Sequence, residues 1–147
     1  MICAAGLDWI SGSPWNCSRG PEPTKIGVLE TGDVGRAHGR AFVTLGHSVK
    51  MGSRSATNEK AVAWAKELGA MASAGTFADA ASCGEIVVLA TLGVANESAL
   101  RNVGPEKFRG KVVIDTTNPL DFSGAMPPKL AVAGNDSAGE RVQRLLP

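Results

Sequence analysis

The sequence is poor in most of the features that give a function away early. Lysine and arginine number 15 against 14 aspartate and glutamate, for a net charge of +1. That balance provides no general electrostatic draw toward nucleic acid or an anionic membrane. The three cysteines, Cys3, Cys17 and Cys83, are an odd number without CxxC spacing, and neither of the two histidines lies near one. A zinc site therefore has no ligand set, and a reducing, cytoplasmic setting is expected. No apolar run approaches the roughly 18 residues of a membrane-spanning helix, and no basic region precedes an apolar stretch at the N-terminus, so no signal peptide is expected. Tyrosine is absent and aromatics make up only 5%. Glycine, by contrast, occurs 18 times, a density that lets helices lie close on strands and loops bring backbone against a ligand. With 147 residues, 44% of them hydrophobic, the chain is sized for one domain around one core.

Residues 1–23 read as an irregular N-terminal arm. They hold Trp9, Trp15, Cys3 and Cys17, run into a Gly/Pro-rich stretch, and carry neither helical nor alternating periodicity. From residue 24 to 147 the pattern becomes regular. Lys25–Leu29 is expected as a buried strand, followed by a helix whose apolar stripe is Val34, Ala37, Ala41, Phe42 and Leu45, stopped at Gly46. A second strand is expected at His47–Met51. Thr57 or Asn58 then caps a helix with Ala61, Val62, Ala65 and Leu68 inward and Gly69 as its stop. Ala70–Ser73 is a weak third strand and Thr76–Ala81 a short helix. Glu85–Ala90, apolar almost throughout, has the character of a central parallel strand. A helix near Asn96–Val103, a fifth strand at Lys111–Asp115, a Gly/Pro/Asp-rich stretch with a hint of strand at Leu130–Ala133, and a final helix capped by Asp136 or Ser137 complete the chain. Alternating strands and helices predict a single α/β, Rossmann-like, doubly wound domain with a mostly parallel sheet in the order 3-2-1-4-5. Ligand is expected where that order reverses, at the C-terminal ends of strands one and four.

The turn after strand one reads Glu30-Thr-Gly32-Asp-Val-Gly35, two glycines of a three-glycine dinucleotide fingerprint in the right strand–turn–helix context. Gly32 permits backbone approach to a pyrophosphate, whose charge is met by the helix N-terminal amides of Asp33, Val34 and Gly35. Glu30 occupies the position of the missing glycine. A carboxylate about 6 Å from a phosphate charge at an effective dielectric near 20 costs about 3 kcal/mol, so binding is expected to be weakened rather than lost. At the tip of strand two stand Ser53, Arg54 and Ser55, with Lys60 following and no acid. Two hydroxyls and a forked cation suit the 2′-phosphate of NADP; an acid-free tip suits neither NAD nor S-adenosylmethionine.

These segments, KIGVLETGDVGRAHGRAFVTLGHSVKMGSRSA from Lys25, EIVVLAT from Glu85 and VVIDTTNPL from Val112, resemble the NADP-binding domain of the coenzyme F-420 (F420)-dependent NADP oxidoreductases. They are also similar to the reductase domains of metal-reducing membrane proteins and of pyrroline-carboxylate reductases. The resemblance implies that Thr31, Gly32, Asp33 and Val34 contact the pyrophosphate and that Ser53, Arg54, Ser55 and Lys60 contact the 2′-phosphate. It further implies that Thr91, Leu92, Val94, Asn118 and Pro119 border the nicotinamide. The implied cofactors are NADP and a deazaflavin, coenzyme F420, as hydride partner. The family continues past the point matching Pro147 into elements that complete the second cofactor's site and a homodimer.

No nucleophile–base pair, carboxylate dyad or metal cluster stands out in the sequence. His38, on the helix stripe where the family has an aliphatic residue, reads as a packing or edge histidine; His47 fixes a turn; Asp115 and Asp121 serve capping or solvated roles. Three readings stay open: hydride transfer between NADPH and a deazaflavin, a non-catalytic nucleotide-binding module or fragment, and part of an NADP-dependent imine or carbonyl reductase. Small-molecule cofactors, not nucleic acid or membrane, are the expected partners. Because no element of the α/β plan requires the arm, deleting residues 1–22 is expected to leave the thermal midpoint within a few degrees. Differential scanning fluorimetry of the two chains checks this, and a large drop would show that Trp9 or Trp15 packs on the core.

Overall fold

A computed structural model describes residues 22–124 and 126–147, so the arm with Cys3, Cys17, Trp9 and Trp15 falls outside the described residues. Five strands, β1 (Lys25–Leu29), β2 (Ser48–Ser53), β3 (Ala72–Thr76), β4 (Ile86–Leu89) and β5 (Val112–Asp115), form a parallel sheet in the expected order β3-β2-β1-β4-β5. The connecting helices are α1 (Asp33–Thr44), α2 (Glu59–Leu68), α3 (Phe77–Cys83) and α4 (Asn96–Val103). A two-stranded antiparallel pair, β6 (Leu120–Asp121) with β7 (Lys129–Leu130), precedes α5 (Ala138–Leu145).

Local chemistry sets most of these boundaries. Asn58 Oδ1 accepts the Ala61 N–H at 3.1 Å and starts α2, while Gly69 leaves it at φ 76°. A 3-10 turn at Gly69–Met71 moves β3 later than the weak apolar run suggests. Ser137 caps α5 by accepting the Glu140 N–H at 3.1 Å. Asp136, the other candidate cap, instead receives Arg141 Nε and Arg144 Nη2 at 2.8 Å each; these hydrogen bonds, Arg144 first, hold its carboxyl at about 2. His47 Nδ1 accepts the Thr24 N–H at 3.2 Å and so ties the entry of β1 to the start of β2.

The sheet is covered on both faces. On one, α1 and α2 enclose Ile26, Val28, Val49, Met51, Ala61, Trp64 and Val88. On the other, α3, α4 and α5 enclose Leu29, Ala80, Ala81, Val87, Leu89, Leu100, Val103, Phe108 and Val142.

The buried stripe of α1 is not the one its apolar residues suggest. Val34 (51% exposed), Ala37, Ala41 and Leu45 (62%) face outward, and Gly35 and Gly39 are buried. The reason is distance. A Cβ on Gly35 would lie 2.5 Å from the Glu30 carbonyl oxygen, and one on Gly39 would lie 2.5 Å from the Trp64 ring. The first two turns of the helix therefore rest on the sheet through backbone, and Phe42 and Val43 of its last turn, the former alone of the expected stripe, pack against the core. On α2 the same substitution holds: Val62 is exposed and Trp64 takes the core position.

The crossing of α3 over β1 is tighter still, with a Cβ on Gly27 falling 2.2 Å from the Ala80 carbonyl oxygen. Neither backbone can yield without breaking sheet or helix bonds. Gly27→Ala is therefore expected to lower stability by about 2–3 kcal/mol, the upper part of the overpacking range, read as a lower urea midpoint at unchanged m-value.

Candidate functional site

A cleft of about 510 Å³ opens at the C-terminal edge of the sheet, where β1 and β4 diverge. It receives one residue or more from the end of every strand from β1 to β4 and is closed on one side by α4. Of the residues expected from the sequence, Ser53, Arg54, Thr91 and Leu92 line it.

At the tip of β2, Ser53 is buried and its hydroxyl is held in the turn by the Ser55 carbonyl, with the Ser55 N–H returning to Ser53 Oγ at 3.3 Å. Ser55 Oγ in turn meets Thr57 Oγ1 at 3.0 Å. This turn presents Arg54, exposed and making no salt bridge or hydrogen bond among the described residues. A guanidinium without a partner among the described residues can receive an anion, and its fork suits a phosphate dianion. Lys60 does not line this cleft; it lines a separate one between α1 and α2 with Asp33, Arg36 and Arg40.

The turn after β1 carries the one acid of the cleft wall, Glu30. Its φ is 128°, the sole positive φ of a non-glycine residue among those described. Its side chain does not turn to solvent: Oε1 accepts the Thr31 N–H at 2.7 Å and the Thr31 hydroxyl at 3.2 Å. The first amide of the anion-binding turn is thus occupied by the protein's own carboxylate. Beyond it, Gly32 begins α1 without a side-chain cap, leaving the first-turn amides of Asp33, Val34 and Gly35 open to a ligand. The Asp33 side chain itself turns outward to Arg36 at 2.5 Å.

Three wall residues from the end of β3, Thr76, Phe77 and Ala78, were not legible in the sequence. A capping box fixes them: Asp79 Oδ2 accepts the Thr76 hydroxyl at 2.7 Å and the Thr76 N–H at 2.9 Å, while the Asp79 N–H returns to Thr76 Oγ1. Those bonds, the hydroxyl first, hold the Asp79 carboxyl below its ordinary value. A Thr-x-x-Asp spacing is the signal that would have found them. Ser98 and Asn102, one turn apart on α4, complete the opposite wall.

At the β4 and β5 ends, Thr91 is buried, whereas Leu92 and Val94 are 65% and 55% exposed. Asn118 and Pro119 reach the same region through Gly93, where a Cβ would lie 2.5 Å from the Asn118 carbonyl. Among the described residues no cluster of three or more metal-ligating side chains occurs, and no helix is long and apolar enough to cross a membrane.

Comparison with known proteins agrees with this fold. A family model described as "NADP oxidoreductase coenzyme F420-dependent" matches residues 25–119. A candidate F420-dependent NADP reductase from Arthrobacter sp. FB24 is similar in structure, with a TM-score of 0.76 and 40% identity over 82% of this chain and 57% of that one. The chain thus spans little more than half the length of that relative. An imine reductase from Streptomyces aurantiacus, at TM-score 0.58 and 22% identity over 83% of this chain and 38% of that one, shares the fold. An imine reductase from Bacillus cereus BAG3X2 gives a TM-score of 0.52 at 25% identity, covering 64% and 32%. A search of curated proteins finds no match.

The Glu30 carboxylate competes with a ligand phosphate for the same amide, so Glu30→Gly is expected to tighten NADPH binding by roughly tenfold to a hundredfold, as the Coulomb estimate allows. Calorimetric titration at two ionic strengths checks it, because the gain shrinks with salt to the extent that the carboxylate is exposed. Glu30→Gln separates charge from backbone: recovery with glutamine identifies repulsion, and recovery with glycine alone identifies the positive φ.

Proposed function

The chain belongs to the coenzyme F420-dependent NADP oxidoreductase family, and on that premise we propose that residues 24–147 form a domain that binds NADP(H) in the cleft at the ends of β1, β2 and β4. In this reading it presents the nicotinamide for exchange with a deazaflavin, coenzyme F420 or a similar acceptor. The observation that carries it is Arg54. It stands free at the β2 tip beside the cleft, supported by the Ser53–Ser55 turn, where an NAD site would place a carboxylate for the ribose hydroxyls.

The residues fit the cofactor in parts. Ser53, Arg54 and Ser55 would hold the 2′-phosphate. Thr31, Gly32, Asp33, Val34 and Gly35 would hold the pyrophosphate through the open end of α1, once Glu30 releases the Thr31 amide. Thr91, Leu92, Val94, Asn118 and Pro119 would border the nicotinamide. When bound, the nicotinamide supplies the hydride chemistry. The chain's own work is to fix the ring's position and shield it from water, for which apolar Leu92 and Val94 at the rim are suited. Face-to-face transfer between two cofactors needs no protein acid or base. The strained, self-bonded Glu30 favours one alternative, a nucleotide-binding module of low affinity.

Arg54→Ala is expected to cost about 1.5–3 kcal/mol of NADPH affinity, the worth of a charge-assisted hydrogen bond, and to leave NADH binding nearly unchanged. Parallel fluorescence titrations with both cofactors test this; equal loss for the two would refute the 2′-phosphate assignment.

A further inference from the structure

The ends of β4 and β5 are joined by a chain of side-chain hydrogen bonds whose direction is set from one end. Asp115 Oδ1 accepts the Thr117 N–H at 2.9 Å and the Thr117 hydroxyl at 2.6 Å. A hydroxyl has one proton to give. Thr117 Oγ1 therefore accepts at its other contact, from Asn96 Nδ2 at 2.6 Å. That orients the whole amide: nitrogen toward β5, carbonyl Oδ1 toward β4, where it accepts the hydroxyl proton of Thr91. Asn96 is 3% and Thr91 8% exposed, so water does not compete for the bond between them, while the Asp115–Thr117 end of the chain lies at the surface. Thr91 lines the cleft, and its proton is already committed inward. What it has left for a ligand is a lone pair.

We infer that Thr91 Oγ1 is an acceptor-only contact in the nicotinamide half of the cleft, with Asn96 as the positioning residue that enforces this polarity. The inference rests on the NADP(H) reading, which places the 2′-phosphate at Arg54 and the pyrophosphate at the start of α1, and so leads the rest of the ligand toward β4 and β5. An acceptor-only hydroxyl takes a ligand O–H or N–H and disfavours a phosphate or carbonyl oxygen. The nicotinamide nucleoside offers two such donors, a ribose hydroxyl and the carboxamide N–H. The phosphates offer none, so the same polarity directs the pyrophosphate away from β4 and toward the helix amides.

The test compares NADP with 2′,5′-ADP, which keeps the adenosine and the 2′-phosphate and lacks the nicotinamide half. Removal of one hydrogen bond by Thr91→Val is expected to weaken NADP binding about fivefold to tenfold and to leave 2′,5′-ADP unchanged. Thr91→Ser, which restores the hydroxyl, should stay within about twofold of the parent chain for both ligands. Thr91→Ala is the second deletion of the hydroxyl should the valine variant fail to fold. Asn96→Ala frees the Thr91 proton and is expected to weaken NADP about threefold, again with 2′,5′-ADP unaffected. The 3-acetylpyridine analogue of NADP, which has a methyl group in place of the carboxamide nitrogen, identifies the donor. If the Thr91→Val loss disappears with the analogue, the donor is the amide; if it persists, the donor is a ribose hydroxyl. Equal losses for NADP and 2′,5′-ADP, or no loss for either, would overturn the assignment of Thr91. An intact NADP affinity in Asn96→Ala would overturn the role of Asn96. A parent chain that binds neither ligand refutes the NADP reading, and this inference with it.

Discussion

Backbone lies on backbone at the centre of this molecule, and the remaining geometry follows from that contact. Gly27 meets the Ala80 carbonyl, Gly84 meets the Gly27 amide, and Gly35 meets the Glu30 carbonyl, each at a separation that excludes a Cβ. Helices held this close have almost no freedom to slide or tilt, since the contact is between groups that are themselves committed to sheet and helix bonds. The first turn of α1 is thereby aimed at the divergence of β1 and β4, and the start of α3 is pressed against the β2 tip. The cleft is the space that remains between elements that cannot move apart.

Within that frame the cleft holds two opposed electrostatic features. Arg54 makes no salt bridge or hydrogen bond among the described residues, and Glu30 places an intramolecular anion on the turn after β1. The backbone at Glu30 is strained and its carboxylate is satisfied by two bonds to Thr31, so the turn exchanges conformational ease for an internal partner. An anion brought to this turn would have to displace the carboxylate from the Thr31 amide.

The sheet order, and the helix caps to within the choices Thr57 or Asn58 and Asp136 or Ser137, were legible in the sequence because each rests on local chemistry: strand periodicity, cap preference, glycine beside a turn. The buried face of α1 was not. Apolar periodicity counts side chains, and of the stripe Val34, Ala37, Ala41, Phe42 and Leu45 only Phe42 packs against the core, whereas the fully buried positions are Gly35 and Gly39, which carry no hydrophobic signal at all. Lys60 follows Arg54 closely in sequence yet lines another cleft. The Thr91–Asn96–Thr117 chain was not legible because its members are ordinary polar residues, and the link between Asn96 and Thr117, 21 positions apart, is created by the pairing of β4 with β5.

The displaced stripe of α1 has a counterpart on β5. Register with Ile86 and Val88 places Val112 and Ile114 on the same side of the sheet as α1, and they are 60% and 38% exposed. With Val34 and Leu45 they add to the apolar side chains exposed among the described residues, on a chain whose isoelectric point is about 7.7 and whose net charge is close to nothing at neutral pH. Colloidal repulsion between molecules is then weakest near neutral pH, where exposed apolar side chains are free to cohere. Sulfate and other excluded salts strengthen such cohesion, so the chain belongs among proteins that salt out early and are kept dispersed by moving the pH away from neutrality rather than by adding salt.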